Sequence, residues 1–97
     1  MREHILGSYR FVKSENTFFI ESCRGTILRA DKSNVDDDIP LVSYWVLQCS
    51  GEMFSDYSQL WNYICVWLKD VRDLLWPSER SDEYFDFVQK EFGVENG

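Results

Sequence analysis

The sequence is poor in the residues from which catalytic and cofactor sites are built. It holds a single histidine, His4, among 97 residues. A Cys–His or Ser–His nucleophile pair would have to use it. It stands beside the start of the chain, a poor place for groups that must be held to about half an ångström. Five glycines, at positions 7, 25, 51, 93 and 97, are scattered. Neither a phosphate-cradling loop nor the dinucleotide fingerprint can be assembled from them. The three cysteines, Cys23, Cys49 and Cys65, are odd in number and far apart. They fit neither a disulfide framework nor a CxxC zinc site, and read as reduced, mostly buried thiols of a cytoplasmic protein. No apolar run approaches the roughly 18 residues of a membrane span; the densest, Ile64 to Leu68, stops at Lys69. The opening MREHILGSYRF has no signal-peptide hydrophobic segment.

Positive charge is also scarce. Ten Lys and Arg face 17 Asp and Glu, for a net charge of −7. The imbalance is uneven: residues 1–32 carry six Lys/Arg against four acids, and residues 33–97 carry four against thirteen. Nucleic-acid binding depends on neutralising phosphates with Lys and Arg, so the acidic two-thirds argue against it. Docking on anionic lipid is disfavoured for the same reason. A basic protein partner is favoured, because fields of opposite sign speed encounter and select orientation.

What the chain does have is a core. Hydrophobic residues make up 44% and aromatics 16%, enough for one globular domain over residues 1–97. The clearest pattern is residues 56–75. Tyr57, Leu60, Trp61, Ile64, Leu68, Val71 and Leu75 recur at helical spacing. Ser55 or Asp56 is placed to cap the start, and Pro77 forces a stop near Trp76. Such a helix is about 30 Å long, the width of a small domain. Tyr63, Val66 and Trp67 widen its apolar stripe, so Trp67 and Trp76 are candidates for a binding edge. Residues 79–92 read as a second amphipathic helix, with Ser81 as N-cap, Asp82 and Glu83 at its positive end and Gly93 at its stop.

Ahead of the helices, YRFVK (9–13), TFFIES (17–22), TILRA (26–30) and LVSYWVLQC (41–49) are rich in strand-forming residues. Ser14-Glu15-Asn16 suits a three-residue bulged hairpin loop, with Asn16 in the left-handed region. Residues 31–40, with their turn formers, charges and Pro40, read as a loop. Strands followed by helices predict an α+β fold: an antiparallel meander of three to four strands, packed by two C-terminal helices. The alternative is an all-α bundle, since 16–30 and 41–49 also accommodate helical patterns.

Three adjacent acids, Asp36, Asp37 and Asp38, are the one cluster resembling a metal site. An EF-hand loop needs a glycine at its sixth position and a glutamate at its twelfth. Counted from Asp31, those positions hold Asp36 and Val42, so the pattern fails. Asp70 and Asp73 are interleaved with Lys69 and Arg72, as ordinary surface charges of a helix are. No metal, cofactor or catalytic group is expected. The expectation is a small, acidic, non-enzymatic cytoplasmic protein that neutralises a basic partner, as an immunity protein, antitoxin or nuclease inhibitor does. The residues expected to carry binding are Asp36, Asp37, Asp38, Glu79, Asp82, Glu83 and Asp86, with Tyr84 and Trp76 as aromatic anchors. The alternative is a non-catalytic adaptor or small subunit of an assembly, a homodimer included.

Overall fold

The computed structural model describes residues 1–36 and 39–93, and the side chains outside 34–42. The chain forms an antiparallel sheet followed by two helices, an α+β arrangement. The sheet contains six strands rather than three or four: β1 (Arg2–Leu6), β2 (Tyr9–Lys13), β3 (Thr17–Ser22), β4 (Gly25–Asp36), β5 (Ile39–Leu47) and β6 (Met53–Phe54). They lie in sequence order, each antiparallel to the next. The helices are α1 (Tyr57–Leu75) and α2 (Ser78–Phe92). Two compact units result, Met1–Asp56 and Tyr57–Gly97.

In the sheet unit, alternation sorts the side chains. Phe11 and Lys13 of β2 stand opposite Ile20 and Phe18 of β3. Phe18 and Ile20 stand opposite Ala30 and Leu28 of β4, and Ala30 opposite Leu47 of β5. Trp45 faces Phe54. All are buried, so one face of the sheet is apolar. Lys13 sits on that face, 6% exposed. Its ammonium donates to the Ser14 carbonyl at 2.8 Å and lies 5.4 Å from the centroid of the Trp45 ring, so the charge is solvated by a carbonyl and a π-face instead of water.

The expected loop at 31–40 is corrected. Residues 31–36 continue β4 and residues 39–40 begin β5. Composition misled because the polar residues have partners. The Asp31 carboxylate accepts hydrogen bonds from Thr17 Oγ1 on β3 (3.1 Å), from the Arg29 guanidinium (3.2 and 3.3 Å) and from Gln48 Nε2 (2.7 Å). Pro40 is tolerated because β6 pairs with Trp45 and Val46; near residue 40, β4 is the one strand beside β5 among the described residues.

Two local readings also change. The loop 14–16 has the expected length, closed by a Ser14 N–H to Thr17 carbonyl bond of 2.8 Å. Asn16 does not enter the left-handed region, which among the described residues only glycines occupy. Its carbonyl instead accepts from the Lys32 N–H at 2.8 Å and extends the β3–β4 pairing. The two-residue Gly7-Ser8 turn has Gly7 at φ 65 and Ser8 at negative φ, the signature of a II′ hairpin, which requires glycine first.

In the helical unit, α1 buries Tyr57, Leu60, Trp61, Ile64 and Leu68, and α2 buries Ser81, Phe85, Val88 and Phe92. The Tyr57 hydroxyl donates to the Phe92 carbonyl at 2.5 Å, tying the start of α1 to the end of α2. Ser81 is not the N-cap of α2. The helix begins three residues earlier, after Pro77, whose carbonyl accepts from Arg80 and Ser81. Ser81 is a buried interior residue whose hydroxyl bonds Asp73 Oδ1 at 2.8 Å. The cysteines are all free, but they are less buried than expected: Cys23 and Cys49 stand exposed in turns and Cys65 is half-buried. Among the described residues no helix is long and apolar enough to cross a membrane.

Candidate protein-binding surface

The acids of α2 have the geometry of a single face. Glu79, Asp82, Glu83 and Asp86 sit at i, i+3, i+4 and i+7, which places them on one side of a helix. The buried residues Ser81, Phe85, Val88 and Phe92 repeat at i, i+4, i+7 and i+11 on the opposite side. The amphipathic pattern that builds the core therefore also lines up the carboxylates. They span about 10 Å of helix at 1.5 Å per residue. All four residues are exposed.

Two of the four have cationic neighbours. Arg72 of α1 lays its guanidinium over the Phe85 ring, 5.3 Å from the centroid, and bonds Asp82 at 3.0 Å. Arg80 pairs with Glu83 at 3.1 Å. The side chains of Asp82 and Glu83 remain 79% and 64% exposed, so these pairs leave most of each carboxylate open to another donor. Among the described residues Glu79 accepts only from the Ser78 hydroxyl, at 3.2 Å. Asp86 forms no ion pair with a described residue.

The other expected contributors fall elsewhere. Asp36 ends β4, opposite Ile39. Asp37 and Asp38 lie outside the described residues. Trp76 is 2% exposed, and its ring meets Tyr84 edge-on with centroids 5.4 Å apart. It has almost no surface left for a partner. Tyr84 is half-buried and keeps an outward portion near the acids.

A second charged array was not anticipated. On the sheet face opposite the buried one, Arg10 is held between Glu3 and Glu21. Its guanidinium carbon lies 5.7 Å from the centroid of the Phe19 ring, and that of Arg29 lies 5.8 Å from the same centroid. The hydrogen bonds that Arg10 donates, to Glu3 first and Glu21 second, raise its pKa above the ordinary value. A raised value stabilises the fold at every pH below arginine's own titration, so this group adds no pH dependence in the physiological range. The signal lay in the sequence: at period two, Arg10, Phe19 and Arg29 fall on one face once the strands are registered. Each cation already has a carboxylate, so the array is cross-strand pairing rather than an anion site.

No protein-family model matches the chain, and neither the curated proteins nor the solved structures searched give a significant match.

Proposed function

We propose that the chain is a non-catalytic binding protein whose acidic α2 face docks on a basic protein and neutralises it, in the manner of an immunity protein, antitoxin or nuclease inhibitor. The observation that carries this reading is the alignment of Glu79, Asp82, Glu83 and Asp86 along one exposed helix face. Carboxylates so placed answer Arg and Lys side chains that would otherwise grip phosphates. The net charge of −7 adds long-range steering toward a basic target. A cytoplasmic setting suits the three free thiols.

The test is capture from host lysate by wild-type chain and by the Glu79→Lys/Asp86→Lys variant, at about 50 mM and about 500 mM salt. A basic protein retained by wild type, lost with the variant or at high salt, and inhibited in its nucleic-acid activity when bound is the expected result. Capture indifferent to both charge reversal and salt sinks the proposal.

One observation favours the second reading, a subunit of a larger assembly. Tyr63, Val66, Trp67 and Leu74 form a stripe along α1, with Val66 65% and Leu74 82% exposed. Under that reading Leu74→Lys abolishes assembly while the α2 charge reversal spares it.

A further inference from the structure

We propose that β1 is an interface strand: a second copy of this chain pairs with it edge to edge and antiparallel, continuing the sheet. The proposal is independent of the acidic face of α2.

The two edges of the sheet are unlike. β6 offers two residues, Met53 and Phe54. β1 offers five, pairs among the described residues only with β2, keeps an unbroken register and contains no proline. Natural sheets blunt their edges with shortness, bulges, prolines or charges; β1 has no bulge and no proline, and its two charges, Arg2 and Glu3, are opposite in sign. Instead it exposes Ile5 by 71%.

The turn dictates which backbone groups point outward. Leu6 and Tyr9 close a two-residue hairpin, so they exchange backbone hydrogen bonds. At period two, His4 with Phe11 and Arg2 with Lys13 do the same. The N–H and C=O groups of Glu3 and Ile5 therefore point away from β2, available to another strand.

Register follows from side-chain parity, because directly opposed residues share a face. Glu3 of one copy can face Glu3, Ile5 or Gly7 of the other. The first sets like charges together, which is destabilising. The last sets Glu3 against Gly7 in the turn, beyond the end of the strand. Glu3 opposite Ile5 uses the whole of β1: each outward residue bonds its counterpart, twice over by symmetry, and Ile5 is covered. His4 then faces His4 as a non-hydrogen-bonded pair, and Arg2 faces Leu6.

Charge also selects this site for self-association. Two chains of net charge −7 repel at long range. The β1–β2 hairpin is the least acidic part of the chain, with Arg2, Arg10 and Lys13 against Glu3 alone. Arg10 is already answered by Glu3 and Glu21 and Lys13 is buried, so copies meeting there set nearly neutral edges together, where the repulsion between them is least.

The test is sedimentation equilibrium of the whole chain from about 10 μM to about 1 mM. Wild type is expected to show a monomer–dimer equilibrium. Ile5→Pro removes an outward N–H and leaves the β1–β2 bonds in place; Ile5→Glu sets a carboxylate opposite Glu3. Each is expected to weaken the dimer at least tenfold while circular dichroism stays unchanged. His4→Cys is expected to yield an oxidised dimer linked through residue 4, since non-hydrogen-bonded pairs lie within disulfide reach. A wild type monomeric throughout, or a dimer that survives both Ile5 substitutions, overturns the proposal.

Discussion

The two units use charge in opposite ways. In the sheet unit, charged side chains are building material. Arg10 is clamped by Glu3 and Glu21, Arg29 is tied to Asp31, and both guanidiniums flank the Phe19 ring. In the helical unit, the carboxylates of α2 outnumber their partners: Asp86 has none among the described residues, and Asp82 and Glu83 stay largely open. Charges locked across strands are already answered. Charges left over on a helix face are available to something else. The difference is why the proposed docking is placed on α2 and not on the outer sheet face.

The largest expected effects lie in the two cores and do not separate the units. Phe18 and Leu68 are both fully buried. Phe18→Ala should cost about 3–5 kcal/mol and Leu68→Ala about 2–5 kcal/mol, from lost transfer energy plus the cavity left behind. Urea unfolding followed by circular dichroism gives both values. A cost under about 1 kcal/mol at either position would show that its unit relies on something other than its apolar face.

The comparison sharpens with a carboxylate from the sheet. Asp31 accepts from Thr17, Arg29 and Gln48, so its removal strands three donors that span β3, β4 and the end of β5. Because the site is partly open to water, which takes up those donors, Asp31→Ala should cost about 1–2 kcal/mol, less than a fully buried charged network. The substitution should leave partner capture unchanged. If stability is untouched, the sheet's charges are not structural and the contrast with α2 fails.

Asp31 also shows how far the sequence could be read. The helices were legible, because a 3.6-residue period over 57–75 and 78–92 needs no knowledge of neighbours. The strands at 9–13 and 17–22 were legible for the same reason, their residue types and turn signals being local. Residues 31–36 were not. Asp31, Lys32, Ser33 and Asn34 carry turn-like composition, and only the register with Val46, Trp45, Tyr44 and Ser43 makes them a strand. Likewise β6 is two residues long and is defined by its pairing to Trp45 and Val46, not by any pattern of its own. The acids of α2 were found by composition. That they share one face follows from their i, i+3, i+4, i+7 spacing within α2. Trp76 shows the limit: an aromatic next to a proline reads as an edge residue, but the T-shaped contact with Tyr84 depends on how α2 folds back along α1.

Asp82→Asn carries the smallest stability effect and the sharpest consequence. Asp82 is 79% exposed and its pair with Arg72 is a surface ion pair, worth about 0.2–1 kcal/mol. Arg72 keeps its position over Phe85 without it, so the helical hairpin should unfold at nearly the same urea concentration. Binding should respond differently. Under the proposed function a carboxylate of the α2 face contributes to the approach of a basic partner, so its loss should slow association by several-fold and leave dissociation less affected. Asp31→Ala and Asp82→Asn thus form a crossed pair, one moving stability without binding and the other binding without stability. Stopped-flow association at low salt and urea unfolding, run on both variants, read the two axes. If Asp82→Asn changes stability by more than about 1 kcal/mol, the α2 acids are built into the fold as Asp31 is, and the division of labour between the units collapses.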